Sequence, residues 1–186
     1  MKTFVFHTLA TAALIFGSAP ALATRVDCRD NIEGSIAAFE PNSNFTGTIV
    51  LQNDPTYDDS VFQFAYPTFA FRMNPSVVVL AEKESEVQAA IAFAKQCGYT
   101  VSARSGGHSY LGMSSCDSSV NPCMQIDLAA LNQSSVTDQG LVTVGPGIKL
   151  FELAAFLFDN GLHLPTGECS HIAIGGHMQT GGFGVW

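Results

Sequence analysis

The clearest hydrophobic pattern in the chain lies between Asn74 and Tyr110. The run from Val77 to Ala81 is short, continuous and rich in β-branched residues, which is typical of a buried strand. A stretch with helical spacing follows, and Thr100 to Ala103 then predicts another strand. This order predicts a βαβ unit in which two parallel strands flank the helix.

The helix between these strands has recognisable ends. Ser85 and Gln88 have the spacing of a capping box, which predicts that the helix begins there. Gly98 adopts the left-handed conformation of helix ends easily, so we expect the helix to stop after Cys97. The apolar face is expected to consist of Val87, Ile91 and Ala94.

A second block of strands and a helix follows. Met124 to Leu128 and Leu141 to Val144 are predicted strands, and Gly145-Pro146-Gly147 is a break. A helix is predicted after this break, and Asn160-Gly161 ends it. Its apolar positions at helical spacing are Leu150, Leu153, Ala154 and Leu157. Strands and helices therefore mix, which predicts an α+β (mixed α/β) fold.

The chain begins with the features of a signal peptide. Lys2 gives a positive start, Phe4 to Phe16 is an almost unbroken apolar run, and Ala21-Leu22-Ala23 fits the small-residue cleavage rule. The apolar run is shorter than the roughly 20 residues of a membrane span, which disfavours an uncleaved anchor. We expect residues 1–23 to be removed on export. Residues 24–72 are predicted to be irregular and to pack on the domain formed by residues 73–186.

Composition narrows the range of partners. The formal net charge is −8 with only 8 Lys and Arg residues, which argues against nucleic acid and anionic membranes as partners. Asn44-Phe45-Thr46 and Asn132-Gln133-Ser134 are possible glycosylation acceptors on surface loops. We expect a secreted, extracellular monomer.

The chain has 5 cysteines, which in an exported protein predict disulfides, although sequence alone leaves the connectivity open. Cys116 and Cys123 flank a polar, turn-rich loop whose ends can meet at disulfide distance. Our interpretation pairs Cys28 with Cys97. Cys169 is then left over, either as a buried inert thiol or as a residue with a chemical role.

Residues 104–109, here called the first glycine loop, follow a predicted strand. Gly106 and Gly107 let backbone N–H groups converge into an anion-binding nest, and Arg104, Ser105 and Ser109 add donors suited to a pyrophosphate. A Rossmann loop must open a helix, and the sequence after Tyr110 has no helical period. A plain tight turn is the alternative explanation of the two glycines.

The glycines and histidines near the end of the chain fit neither a P-loop nor a standard zinc site. Gly176 and Gly181 have P-loop spacing, but Gly182 stands where lysine is required, which excludes an NTPase. A metal site could draw on Cys169, His163, His171 and His177. Their spacing matches no standard zinc pattern, so we expect no metal.

His108 and Cys169 are nucleophilic residues beside glycine-rich backbone in two separate loops. This arrangement suits a large planar cofactor with its diphosphate on the first glycine loop and its ring near both residues. The alternative is a hydrogen-bonded structural histidine and a core cysteine.

Four segments occur in the order found in a known flavoprotein family. They are PSVVVLAEKESEVQAAIAFAKQCGYTVSARSGGHSY, MQIDLAALNQ, VTVGPGIKLFEL and PTGECSHIAIGGHMQTGGFG. From about Asn74 onward, the chain resembles the FAD-binding domain of the vanillyl-alcohol-oxidase superfamily, and its berberine-bridge-enzyme-like branch in particular. The resemblance implies a two-subdomain FAD-binding domain of the p-cresol-methylhydroxylase type. It also implies that residues 73–186 are an incomplete version of that domain, without a substrate domain.

The resemblance further implies the residues that hold FAD. His108 matches the residue bonded to the 8α-methyl carbon of the flavin, and Cys169 matches the residue bonded to C6 in doubly linked members. The residues that would cradle the pyrophosphate are Arg104, Ser105, Gly106, Gly107, His108 and Ser109. The residues that would line the cofactor are Gly145, Gly167, Ser170, Ile172, Gly175 and Gly176. His177 to Gly184 matches the family's second glycine segment.

The function implied is that of a secreted oxidase with covalently bound FAD. It would oxidise an alcohol, of a sugar or oligosaccharide, and pass electrons to O2 to give H2O2. An oxidase of secondary metabolism and a truncated non-catalytic secreted protein are the alternatives. No catalytic residue is assigned, because the family's substrate-side base, usually a tyrosine in sugar oxidases, lies in a later region. None of Tyr57, Tyr66, Tyr99 and Tyr110 matches it.

Overall fold

The computed structural model describes residues 28, 30–40, 44–64 and 73–184. Its strands are β1 (Thr48–Leu51), β2 (Val77–Leu80), β3 (Thr100–Arg104) and β4 (Cys123–Asp127), which form one four-stranded sheet. The order in this sheet is β1-β2-β4-β3. Strand β1 is antiparallel to β2, and β4 is parallel to both β2 and β3. The three strands predicted here from the sequence are confirmed, with small shifts at their ends.

Strand β4 lies between the two strands of the predicted βαβ unit. Val77 of β2 and Val101 of β3 both have Met124 of β4 as their register partner. The parallel direction predicted for β2 and β3 is therefore confirmed, but the two strands pair with β4 and not with each other. Because β4 is central, its residues are all buried.

One face of the sheet packs against α1 (Ile32–Ala38) and α3 (Glu84–Cys97). Side chains alternate across a strand, so alternate residues of β2 and β4 enter this layer. The buried cluster consists of Ile36, Val77, Val79, Ala81, Ala90, Phe93, Ala94, Met124 and Ile126. These contacts make the α3 layer the main hydrophobic core of the described residues.

Helix α3 differs in detail from its prediction. Its N-cap is Lys83 and makes no side-chain cap, so the predicted capping box of Ser85 and Gln88 is wrong. Ile91 is 49% exposed, because the buried stripe passes through Phe93 instead. Val87 and Ala94 do pack on the core, and Gly98 ends the helix with φ 73°, as expected.

The opposite face of the sheet packs against α2 (Tyr57–Val61), which contacts Val50 and Val78. The described part of residues 24–72 therefore contains α1, β1 and α2, and the prediction that this region is irregular is wrong. These elements have seven, four and five residues, too short for a hydrophobic period to stand out in the sequence.

A second layer contains β5 (Ser134–Val136), β6 (Val142–Val144), α4 (Leu150–Asp159) and α5 (Ile174–Thr180). Strands β5 and β6 form an antiparallel pair. Helix α4 buries Leu150, Leu153 and Leu157 as predicted, whereas Ala154 is exposed. Strand β5 and helix α5 were not predicted, because β5 has only three residues, two of them serine, and α5 is a seven-residue helix that contains two adjacent glycines. The mixed α/β class is confirmed.

Both predicted disulfides are present. Cys28 is bonded to Cys97 with a Cα–Cα distance of 5.7 Å, and Cys116 to Cys123 with 6.3 Å. The first ties the N-terminal segment to the end of α3, and the second closes the loop that precedes β4. Cys169 is free and exposed, so the alternative of a buried inert thiol is wrong.

The predicted signal peptide, residues 1–23, lies outside the described residues. Among the helices that the structure does describe, none is long and apolar enough to cross a membrane. Asn44 and Asn132, the possible glycosylation acceptors, are both exposed.

The carboxylate of Glu86 joins the start of α3 to the chain before β1. It is fully buried and accepts hydrogen bonds from the N–H groups of Thr46 (2.6 Å), Gly47 (3.0 Å) and Glu82 (2.8 Å). Burial raises the pKa of this carboxyl, but these bonds and one from the Thr46 hydroxyl outweigh it and lower the pKa from 4.5 to about 2. The Glu86 carboxylate is therefore charged over most of the pH range.

We expect Glu86→Gln to lower the free energy of unfolding by about 2–3 kcal/mol, because an amide cannot accept from all of these donors. The control is Glu84→Gln, an exposed residue of the same helix turn. A lowered pKa stabilises the fold above pH 4.5, and this contribution is lost as the pH falls toward 2. Urea unfolding at several pH values should show the two proteins converging in acid. Equal stability of Glu86→Gln and the control at neutral pH would contradict this account.

Candidate functional site

The first glycine loop leaves the carboxyl end of β3, beside the end of β4. In open sheets with parallel strands, ligands bind outside the carboxyl ends of the strands. The backbone N–H groups of Ser105, Gly106, Gly107, His108 and Ser109 donate to none of the residues that the structure describes. Gly107 has φ 67°, a conformation that favours glycine. A glycine-rich turn with unbonded N–H groups has the properties of an anion-binding nest.

No helix begins directly after this loop. Residues 105–149 consist of turns, irregular chain and strands, with no helix. The Rossmann arrangement excluded from the sequence is absent here as well.

The guanidinium of Arg104 is held inside the protein. It forms a salt bridge with Asp127, and Nη2 donates to the Phe62 carbonyl oxygen at 2.8 Å. The side chain of Asp127 is only 5% exposed, so the charge of Arg104 is used to balance a buried carboxylate. The backbone N–H groups of the loop and the Ser109 hydroxyl, which accepts from the Met113 N–H at 3.2 Å, remain as donors.

The first glycine loop touches the segment that contains Cys169, residues 167–176, here called the cysteine segment. The Ser105 hydroxyl donates to the Pro146 carbonyl at 2.6 Å, and the Gly175 N–H donates to the same oxygen at 3.0 Å. A Cβ on Gly106 would lie 2.8 Å from the Ala173 nitrogen, and one on Gly175 would lie 2.9 Å from Ser105 Oγ. Both positions therefore need glycine for the two segments to approach this closely.

His108 lies where these two segments meet. Its ring stacks on that of Phe64, with centroids 4.3 Å apart. Burial lowers the pKa of His108, a hydrogen bond to the His171 backbone raises it, and the charges of His171, Lys149 and Arg104 lower it further. The pKa of His108 is therefore below its ordinary value, which favours the neutral imidazole, the form that can act as a nucleophile.

The cysteine segment places Cys169 two residues before His171, which contacts His108. The Cys169 carbonyl accepts from the Ile172 N–H at 3.2 Å, and the Ser170 hydroxyl lies 3.0 Å from His171 Nδ1. The His171 ring packs beside Phe151 of α4, with centroids 5.3 Å apart. The segment is thus anchored to α4 while the Cys169 thiol remains exposed.

His177 of α5 makes contacts that stabilise the fold. It is buried, and its Nε2 accepts from the Gly167 N–H at 3.2 Å. A Cβ on Gly182 would lie 2.4 Å from the His177 ring, so the chain after α5 closes over it. No group of three His, Cys, Asp or Glu side chains that could hold a metal occurs in the described ranges.

The other residues expected to line a cofactor have mixed surroundings. Gly145 is buried and would place a Cβ 2.1 Å from the Leu131 carbonyl, so packing alone explains this glycine. Ile172 packs on the core around α4, and a Cβ on Gly176 would meet nothing within 4 Å.

Asp127 and Phe64 contact residues of the site but were not predicted from the sequence. Asp127 has Arg104 as its register partner in the parallel β3–β4 pair. Opposite charges at the ends of two predicted strands are a signal that could have found this contact. Phe64 follows α2 in a stretch without periodicity, and nothing in the sequence points to its contact with His108.

The chain is similar in sequence and in structure to known FAD-binding proteins. A family model described as an FAD binding domain matches residues 75–186. A carbohydrate oxidase of Microdochium nivale is 31% identical over 92% of this chain and 32% of that protein. Berberine bridge enzyme-like D-1 of Nicotiana tabacum is 27% identical over 99% of this chain and 32% of that protein. The solved structure of wild-type Physcomitrella patens BBE-like 1 has a TM-score of 0.65 at 25% identity, over 76% of this chain and 29% of that chain.

These matches confirm the family resemblance and the fold expected from the motifs. The chain spans about a third of the length of the relatives that it matches.

Two adjacent glycines of α5 give a matched test of the contact between the segments. We expect Gly175→Ala to lower the free energy of unfolding by about 1–3 kcal/mol, because its Cβ would overlap Pro146 and Ser105. Gly176→Ala should leave stability unchanged or raise it by up to about 1 kcal/mol, because alanine favours helices and meets no neighbour. Thermal unfolding of both variants measures this difference. Equal effects would mean that the two segments do not approach as described.

Proposed function

Because this chain belongs to the FAD binding domain family, we propose that it is the cofactor-binding part of a secreted FAD-dependent oxidoreductase. The observation that carries the proposal is the contact between the first glycine loop and the cysteine segment at His108. This contact brings together N–H groups that donate to no described residue, an imidazole with a lowered pKa, and the segment that carries an exposed thiol.

The residues present fit FAD. The N–H groups of Ser105 to Ser109 supply donors for a pyrophosphate without the cost of burying further cations. His108 would be linked to the 8α-methyl carbon of the flavin, and Cys169 to C6. The backbone around them would line the cofactor, through Gly145, Gly167, Ser170, Ile172, Gly175 and Gly176. Arg104 would hold the cradle at the end of β3, where its carbonyl accepts from the Leu128 N–H at 2.8 Å.

When bound, FAD would supply a hydride acceptor for an alcohol and a route for electrons to O2, giving H2O2. The chain's own share is to hold that group in place. The depressed pKa of His108 favours the form of its ring that has a free lone pair, and the Cys169 thiol is free and exposed. Two covalent links, one from the first glycine loop and one from the cysteine segment, would hold the cofactor in place on the protein.

The substrate is proposed to be a small molecule with an alcohol group, in the first place a sugar or oligosaccharide. The similarity to a carbohydrate oxidase favours this choice, and the similarity to berberine bridge enzyme-like proteins favours secondary metabolism as the second candidate. No substrate-side base is assigned. The Tyr57 hydroxyl donates to the Pro75 carbonyl at 2.7 Å, and Tyr99 packs on Phe93, so both have structural contacts.

Export is proposed from the signal-peptide pattern together with the two disulfides, which form in oxidising compartments. The protein is proposed to be monomeric, with glycans on Asn44 and Asn132. A secreted, non-catalytic product without flavin is the competing reading.

Covalent attachment is tested by producing the chain with FAD present and precipitating it with acid. We expect yellow protein with one FAD per chain by mass spectrometry. His108→Ala should leave FAD on the Cys169 peptide alone, and Cys169→Ala should leave it on the His108 peptide alone. The double variant should release all flavin.

Two outcomes would decide against these assignments. If neither single change altered the linkage, the site would be wrong. A folded, disulfide-bonded chain that stayed colourless with FAD would favour the non-catalytic reading.

The substrate class is tested without oxygen on the flavin-loaded oxidoreductase of which this chain is the proposed cofactor-binding part. Oligosaccharides should bleach the visible flavin absorption, and air should restore it with formation of H2O2. The control is a panel of small aromatic alcohols and amines at the same concentrations. Bleaching by that panel but not by sugars would select the secondary-metabolism alternative.

A further inference from the structure

A chain of contacts connects Arg104 with the ring of His108. Arg104 Nη2 donates to the Phe62 carbonyl at 2.8 Å. Two residues later, the Phe64 N–H donates to the Gly107 carbonyl at 2.9 Å, and the Phe64 ring stacks on His108 at 4.3 Å. The segment Phe62–Phe64 therefore lies between the guanidinium and the imidazole.

The position of Phe64 is not explained by core packing. Its side chain is 66% exposed, although burial would stabilise an aromatic ring of this size. Its ring contact with His108 and its backbone bond to Gly107 are what hold it over the loop. An exposed ring that is held in place by contacts with His108 and Gly107 can influence the orientation of the His108 ring.

The geometry of Arg104 suits the holding of this segment. A guanidinium presents several donors in a rigid planar fork, so one arm can pair with Asp127 while another binds the Phe62 carbonyl. A Cβ on Gly107 would lie 3.0 Å from Arg104 Nε, so the guanidinium lies close beside the loop just before His108. A lysine ammonium is a single point and cannot reproduce this set.

We propose that Arg104 is a positioning residue for His108: it holds Phe62–Phe64 so that the Phe64 ring fixes the plane of the imidazole. In this assignment the guanidinium does not contact a pyrophosphate. It acts through Phe64 on the atom that would carry the flavin link, so this part of the inference rests on the proposed function.

The first experiment needs no flavin. Stacking displaces the His108 ring protons upfield in the NMR spectrum, and their signals are identified by their loss in His108→Gln. We expect Phe64→Leu to abolish the displacement. Arg104→Lys, which keeps a cation for Asp127, should also remove most of it. The control Lys95→Gln, on an exposed position of α3, should leave it unchanged.

The double variant Arg104→Lys with Phe64→Leu should match Phe64→Leu alone, because both act through one contact. If Arg104→Lys fails to fold, Arg104→Gln with Asp127→Asn replaces it. This pair leaves no buried charge and should show the same loss of displacement.

The second experiment measures the rate of FAD attachment in the Cys169→Ala background, where only the histidine link can form. Arg104→Lys and Phe64→Leu should slow attachment, by up to about a hundredfold for a misplaced nucleophile. Lys95→Gln should not. An unchanged His108 signal in Arg104→Lys would overturn the proposal, as would an unchanged signal in Phe64→Leu. Absence of any FAD in the wild type would instead refute the proposed function and leave the NMR result standing.

Discussion

The close packing of Gly106 on Ala173 is the contact on which the candidate site depends. The two segments belong to different layers of the protein, one at the end of the main sheet and the other beside α4. Side chains at Gly106 or Gly175 would force them apart. With glycine in both positions, backbone meets backbone, and His108 comes within reach of His171. The hydrogen bond of His108 to the His171 backbone depends on this approach, whereas the salt bridge of Arg104 with Asp127 forms within the main sheet.

The paired charges of Arg104 and Asp127 lie inside the protein, and the backbone N–H groups lie on the face of the loop. The Arg104 guanidinium balances Asp127 inside the protein, so the face of the loop is left with backbone donors. Backbone N–H groups carry only partial charges, and a glycine-rich turn can bind an anion with them alone. Burial and the positive charges of Lys149 and Arg104 near His108 lower its pKa and favour the neutral imidazole. A diphosphate bound at the loop would shift this pKa in the opposite direction.

Sequence alone predicted the elements whose pattern is long or chemically distinctive. The buried strands, α4, the disulfide pairs and the glycine motif around His108 are of this kind. It failed where tertiary contacts decide the outcome. Helix α3 is rotated toward Phe93 because the sheet, and not the periodicity of Ile91, determines its buried face. The buried Glu86 replaces the expected capping box because its partners, Thr46 and Gly47, lie about forty residues away. The contact of Phe64 with His108 likewise depends on a fold that local sequence does not encode.

The position of β4 in the sheet has a consequence for how the protein forms. Helix α3 and β3 are synthesised before β4, yet β3 has its register partners only in β4. Until residues 123–127 insert between β2 and β3, Arg104 lacks Asp127 and the first glycine loop has no fixed base. Pairing of β3 with β4 closes the chain between Arg104 and Cys123, which costs conformational entropy before these strands make any contact. The surroundings of His108 therefore depend on the pairing of β4 and are not complete before it.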